Sequence, residues 1–319
     1  MSEQRGSADS VRPGPNDLLQ QALVARRYYL EGRTRVQIAD EFGVSRFKVA
    51  RLLDDALATG MVEITVHTPD SIDVELSAAL KRQYGLEHAY VVSSKSPNTA
   101  DRVDAVARAT ADLLASIISA DHVLGVDCGR TLSHVAGHLN TLASCDIVQL
   151  TGSAGAITAN SAELARRMAE IGGGQCWSMY APLVAPDERT ATALSRDRQI
   201  ELTLAKHESI THAIVSVGSW QPGASQVYDS LVGDEAAALR RDGVTAETCA
   251  LLVDRNGKRI KVIDDRRIGI GESTLRAIPT VIAIAAGREK TDSTRAVLAS
   301  RLVTSIVTDT EIAAACLSR

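Results

Sequence analysis

From residue 72 to the C-terminus, short apolar runs alternate with longer stretches of helical periodicity, and this alternation constrains the chain more than any other feature. The runs are "HAYVVS" (88–93), "HVLGVD" (122–127), "DIVQLTG" (146–152), "THAIVSVG" (211–218), "CALLVD" (249–254) and "TVIAIAAG" (280–287), with a weaker one at "QCWSMYAP" (175–182). Helical pieces are expected at 101–119, 160–171, 190–208 and 291–301. Strands that alternate with helices imply a mainly parallel sheet covered on both faces. Several runs end in glycine-rich turns, and in such sheets ligands sit beyond the carboxyl ends of the strands.

The first 70 residues follow another pattern. Residues 1–16, rich in Ser, Gly, Pro and charge, read as a disordered leader. Residues 17–68 read as three helices and a short strand, "MVEITVH", entered after Gly60 at a helix C-terminus. "TPDSID" breaks both periods, which sets a boundary before an α/β domain over 69–319. Within the helical part, "RVQIADEFGVSRFKVARLLDDA" (35–56) has the spacing of a helix-turn-helix. Ile38, Phe42, Val44, Val49 and Leu52 occupy its buried positions, Ala39 is small where two helices cross, and Gly43 stands at the turn where positive φ is needed. Ser45 caps the second helix. Arg46, Phe47, Lys48 and Arg51 are thereby left for a face that enters a major groove, with Arg35 at the head of the preceding helix. Phe47 divides between core and contact with a thymine methyl, with the core preferred. A helical hairpin with a merely solvated basic face is the alternative, and the joint match of cap, turn and apolar positions weighs against it.

Charge supports this partition. The 319 residues carry a net charge of −4, which argues against a protein that coats nucleic acid indiscriminately. Between Arg26 and Arg51, however, seven Lys/Arg stand against the acids Glu31, Asp40 and Glu41. The five cysteines form no CxxC, so neither a zinc site nor a disulfide framework is encoded locally, and no metal or cofactor is expected. No apolar run approaches the ~18 residues of a membrane span, and no signal peptide is evident, so a cytoplasmic protein without membrane contact is expected.

"LEGRTRVQIADEFGVSRFKVARLLDDALATGMVEITV" resembles the DNA-binding domain of the SorC family of sugar-responsive bacterial transcription regulators, which includes deoxyribonucleoside and central glycolytic repressors. The resemblance continues in order through "GVDCGRTL", "VQLTGSAG", "MYAPLV", "IVSVGS", "LRRDGVTAETCALLVDRNGK" and "LRAIPTVIAIAAGREKTDSTRAVLASRLVTSIVTDTEIAAACL", about 300 residues in all. It implies an N-terminal winged helix-turn-helix domain plus an α/β Rossmann-like sugar-binding domain resembling sugar-phosphate isomerases. It also implies a homo-oligomer, dimer or tetramer, on palindromic double-stranded operator DNA.

A sugar phosphate needs backbone N–H groups at a strand-to-helix turn, hydroxyls and a cation. "GVDCGRTL" offers Gly125, Gly129 and Thr131, and "LTGSAG" offers Thr151, Gly152 and Ser153. The resemblance adds Lys290 as the cation and Glu247 as the acceptor of ligand hydroxyls. The chain departs from the family pattern at Asp127 and Cys128, which replace a Ser-Trp pair. It also departs at Thr245 and Ala246, and at Thr151, whose position is basic in some members. An added carboxylate and a missing cation favour an unphosphorylated sugar or polyol over a phosphate ester, with Asp127 and Glu247 accepting from its hydroxyls. The competing reading is an active sugar-phosphate isomerase or deaminase, for which Asp127, Glu247, His134 and His138 would be the catalytic nominees.

Overall fold

The computed structural model describes residues 14–64, 72–94, 96, 98–154 and 161–318. The chain divides into two units, Met1–His67 and Thr68–Arg319.

In the first unit α1 (Pro15–Tyr29), α2 (Arg35–Phe42) and α3 (Arg46–Ala58) bury Val24, Ala25, Ile38, Ala39, Val49, Leu53 and Ala56 against one another. Proline at the first helical position starts α1 at residue 15, inside the stretch expected to be a leader; residues 1–13 lie outside the described residues. Thr34 and Gln37 form a reciprocal cap on α2. Gly43 closes that helix at φ 63°, and Ser45 Oγ accepts from Lys48 N at 3.2 Å to open α3. The second helix of the pair buries Leu53 more deeply than the expected Leu52, which is only partly buried along with Phe42 and Val44. Phe47, assigned by preference to the core, is 69% exposed, because the buried stripe of α3 runs through Val49, Leu53 and Ala56 and Phe47 lies off it.

The strand expected over 61–67 is not formed in its described part, residues 61–64. Val62 N–H donates instead to Ala56 O at 3.0 Å and its side chain packs on the helical core, so this stretch caps α3. Residues 65–71, which hold the rest of that expected wing and most of the expected boundary, lie outside the described residues.

The second unit opens with α4 (Val74–Tyr84), β1 (His88–Val92), α5 (Thr99–Ile117), β2 (Val123–Val126), α6 (Arg130–His138), β3 (Asp146–Gln149), α7 (Ser161–Gly172) and β4 (Cys176–Trp177). It continues through α8 (Glu188–Ser195), α9 (Arg198–Lys206), β5 (His212–Ser216), β6 (Gly218–Ser219), α10 (Gln226–Ser230), α11 (Glu235–Arg241), β7 (Val244–Thr248), β8 (Leu251–Asp254) and β9 (Arg259–Ile260). The last elements are α12 (Glu272–Ala277), β10 (Thr280–Ala285), α13 (Thr291–Ser300), β11 (Ser305–Asp309) and α14 (Thr310–Leu317). The helix expected over 190–208 is two helices, since Asp197 caps the second by accepting from Gln199 N at 3.0 Å.

Seven strands form one sheet in the order β1-β11-β10-β5-β2-β3-β4, and every pairing in it is parallel. Apolar side chains of α5, α6 and α7 pack on one face and those of α4, α13 and α14 on the other, giving the Rossmann-like α/β sandwich. "CALLVD" lies outside this sheet: β8 belongs to a four-stranded antiparallel sheet, β6-β7-β8-β9. Among the strands that no apolar run announces, β7 ("VTAET") and β11 ("SIVTD") carry polar residues that are mostly buried all the same.

The chain runs outward from β2 to β3 and β4 and then returns to place β5 on the other side of β2. The order therefore reverses between β2 and β5. At such a switch point the connections leave the two strand ends in opposite directions and open a crevice beyond them.

Candidate functional site

A cavity of about 250 Å³ occupies that crevice. The turn after β2 lines it with Asp127, Cys128, Gly129 and Arg130, and the end of β5 and start of β6 line it with Ser216, Val217 and Gly218. The segment around Ser225–Asp229, Glu247 and Ala250 of the antiparallel sheet, and Lys290 before α13 close it.

Gly129 makes the turn into α6 at φ 146°, and a Cβ there would stand 2.1 Å from Ser216 Oγ. Only glycine lets the two strand ends approach this closely, and the first-turn amides of α6, which lack helical partners, begin at this edge. Gly218 is used in the same way: a Cβ would lie 1.9 Å from Glu247 Oε1.

Asp127 is 2% exposed and is consumed by the protein itself. Thr151 Oγ1 donates to its Oδ1 at 3.1 Å, while the amides of Ser216 and Cys249 each donate to Oδ2 at 3.3 Å. Burial pushes its carboxyl up from the usual range, and these hydrogen bonds pull it back. Asp127 lines the cavity and through these bonds ties β2, β5 and the β7–β8 hairpin together, so any ligand hydroxyl would share the carboxylate with three protein donors.

That hairpin turns through Cys249 (φ 49°) and Ala250 (φ 58°), both left-handed without being glycine. Two-residue turns of this hand prefer Asn-Gly, and such residues cost on the order of 1–3 kcal/mol each. Two buried carboxylates offset the strain. Asp127 takes the Cys249 amide, and Glu247 Oε2 takes the Ala250 amide at 3.2 Å.

Glu247 Oε1 also accepts from Ser225 Oγ at 3.1 Å. Burial first, and then the charge of Asp127, push its carboxyl up to about 7. Lys290 Nζ donates to Val217 O at 2.9 Å; burial and the neighbouring Arg130 charge lower its ammonium to about 8. Burial, with Asp127 and Glu247 next, raises the Cys128 thiol well above its usual value, so it is a small apolar surface and not a nucleophile. Ser216 lines this cavity, and its buried Oγ, packed against Gly129, has no hydrogen-bond partner among the described residues.

Five of the ten expected effector residues meet here: Asp127, Cys128, Gly129, Glu247 and Lys290. The others do not line the cavity. Gly125 sits within β2, flush against Leu150 and Ile210; Thr131 is buried in the first turn of α6; Gly152 abuts the Pro182 carbonyl; Ser153 bridges to Pro182; and Thr151 holds Asp127. Arg130 was missed although it follows the turn glycine directly, and Ser216 and Ser225 were missed because nothing local marks them. Of the catalytic nominees, His134 and His138 do not line the cavity, and His138 pairs with Asp104 at 2.5 Å between α5 and α6.

The first unit holds a second candidate surface. Arg27 and Arg33 pair with Glu31 and Glu41 at separations down to 2.6 Å, and Arg26 lies 3.7 Å from Glu31, so three of the seven cations of this region share two carboxylates. Arg35 rests over the Tyr28 ring at 5.6 Å. Arg46, Lys48 and Arg51 are exposed on the first turns of α3, with no carboxylate in ion-pair range among the described residues. No helix among the described residues is long and apolar enough to cross a membrane, and none of their His, Cys, Asp and Glu side chains cluster as a metal site.

Residues 70–318 match the family described as "putative sugar-binding domain". The deoxyribonucleoside regulator of Bacillus subtilis is 28% identical over 299 residues, 91% of this chain and 95% of that protein. The transcriptional regulator LsrR of Escherichia coli K12 is 24% identical over 308 residues, 93% and 94% of the two chains. The full-length sorbitol operon regulator SorC of Klebsiella pneumoniae superposes with a TM-score of 0.74 at 21% identity, covering 95% of this chain and all of that one. The match to the sugar-binding domain spans most of the chain, and the chain belongs to that family, the SorC-type transcriptional regulators.

Proposed function

We infer that the protein is an operator-binding regulator whose DNA affinity is set by an anionic sugar, such as a sugar phosphate, held in the cavity between β2 and β5. The observation that carries this reading is the pairing of Arg130 and Lys290 with the first turn of α6 in one cavity lining. Helix N-terminal amides and two cations suit a phosphate or carboxylate, while Glu247, Ser225 and Ser216 suit sugar hydroxyls. At about 250 Å³ the cavity is smaller than the ~300–1,000 Å³ of drug-sized sites, in keeping with a single sugar. In the sequence, an unphosphorylated polyol is favoured by the added carboxylate of Asp127 and by Thr151 at a position that is basic in some members. Asp127 is occupied by protein donors, and Arg130 supplies a cation.

DNA contact is assigned to Arg46, Phe47, Lys48 and Arg51 on α3, capped by Ser45, with Arg35 flanking them on α2. The folded protein senses its sugar and does not turn it over. A dimer or tetramer on a two-fold operator fits because one helix reads too few base pairs for useful selectivity.

The test is a thermal-shift screen of sugars, sugar alcohols and their phosphates, followed by operator titration with each hit. A ligand at ~100 times its Kd stabilises the fold by ~2.7 kcal/mol. Phosphate esters should bind more tightly than their parent sugars, remain chemically unchanged and alter DNA affinity, and Arg130→Ala with Lys290→Ala should abolish the preference. Parent sugars binding as tightly as the esters would return the site to polyols, and product formation would make it an enzyme.

A further inference from the structure

Phe47 is a large apolar side chain with no place in the core of its unit. It is the second residue of α3 and is 69% exposed, whereas Val49, Leu53 and Ala56 of the same helix are buried. The Arg46 guanidinium lies over one face of its ring, 5.1 Å from the centroid, which leaves the other face and the edge to a partner. Lys48 follows it directly, and Arg51 stands one turn further along the same side.

A lone exposed apolar residue is ordinary on a protein surface; its position makes this one informative. Cations on a recognition helix bind phosphates and the O6/N7 edge of guanine. In the major groove only thymine presents an apolar group, its 5-methyl, and a cation cannot read it. The first turn of a recognition helix is also the part that reaches base edges. We propose that Phe47 reads the 5-methyl group of a thymine in each operator half-site, while Arg46, Lys48 and Arg51 hold the surrounding phosphates and purines. The proposal rests on α3 being the recognition helix.

The experiment uses the full-length protein and duplexes that it selects from a random-sequence pool. Each thymine is replaced in turn by deoxyuridine, which removes only the methyl. At one position per half-site the replacement should weaken wild-type binding about fourfold, which is about 0.8 kcal/mol at ~1.4 kcal/mol per tenfold. Phe47→Ala should bind the selected duplex more weakly and be indifferent to that replacement, and Phe47→Leu should retain part of the response. Both variants should melt with the wild type, as the side chain is exposed. Indifference of the wild type to every deoxyuridine, an undiminished methyl response in Phe47→Ala, or a melting temperature lowered by several degrees would each overturn the proposal. Absence of any sequence-preferring DNA binding would be a different failure, taking the recognition-helix assignment with it.

Discussion

The cavity at the sheet and the outer face of α3 both gather charge, and they handle it in opposite ways. On α3, Arg46, Lys48 and Arg51 stand in water with no carboxylate in ion-pair range among the described residues, while Glu31 and Glu41 of the same unit pair with Arg26, Arg27 and Arg33. In the cavity, Asp127, Glu247 and Lys290 are removed from water, so each must find protein partners or change its protonation. Exposed charge is easy to display and individually weak, and suits a long polyanion that can be gripped at many points. Buried charge is hard to maintain and selective, and suits one small ligand. Asp127, Glu247 and Lys290 are therefore also structural, whereas Arg46, Lys48 and Arg51 are structurally idle.

The largest effect should come from removing the idle charges. Arg46→Ala, Lys48→Ala and Arg51→Ala together should lower operator affinity by at least ~100-fold, since a base-reading side chain is worth ~1–3 kcal/mol, and should reduce the salt slope by about one for each phosphate no longer neutralised. Fluorescence anisotropy at several salt concentrations checks both, and unchanged affinity would break the contrast. Stability should stay within ~0.5 kcal/mol of wild type.

The next effect tests the buried side. Glu247 titrates at about 7 in the folded protein against 4.5 ordinarily, so the folded state binds that proton more tightly than the unfolded one. Its contribution to stability is greatest below pH 4.5 and is lost as pH rises through about 7, by up to about 3 kcal/mol. Lys290, lowered to about 8 from 10.5, changes stability only above that window and with the opposite slope. Glu247→Gln should flatten the decline between roughly pH 5 and pH 8, and denaturation midpoints across that range measure it. A wild-type midpoint independent of pH would mean that the carboxyl is not held as its surroundings imply.

A smaller loss is expected from Asp127→Ala. It leaves the Ser216 and Cys249 amides and the Thr151 hydroxyl without their acceptor, at about 1–3 kcal/mol in urea denaturation. Because the like charge is gone, Glu247 should also titrate lower than about 7. No destabilisation would show that the β7–β8 hairpin does not depend on this carboxylate.

The α3 surface was largely legible in the sequence because it is local. Cap, turn glycine and apolar spacing fall within the 22 residues 35–56, and helix periodicity decides which of them face outward. Periodicity sets Phe47 on the outward face beside Arg46, Lys48 and Arg51, and only its hydrophobicity points to the core. The cavity was half legible. Residues 127–129 advertise a strand-end turn, and Glu247 and Lys290 came from family resemblance; nothing near Ser216 or Ser225 announces that a strand crossing brings them beside Asp127. β11 escaped notice for a related reason, since its Ser305, Thr308 and Asp309 are buried polar residues inside a central strand and blur the apolar run.

Periodicity and turn chemistry, which act over a few residues, were enough to separate a three-helix segment from an alternating α/β chain and to place a cap and a turn between α2 and α3. They could not show that Asp127 serves as a brace, since its three partners at residues 151, 216 and 249 are near it only after the strand order reverses between β2 and β5. They could not set the protonation of Glu247 or Lys290 either. That depends on how much water is excluded and which charges are brought alongside, and both are properties of the packed chain.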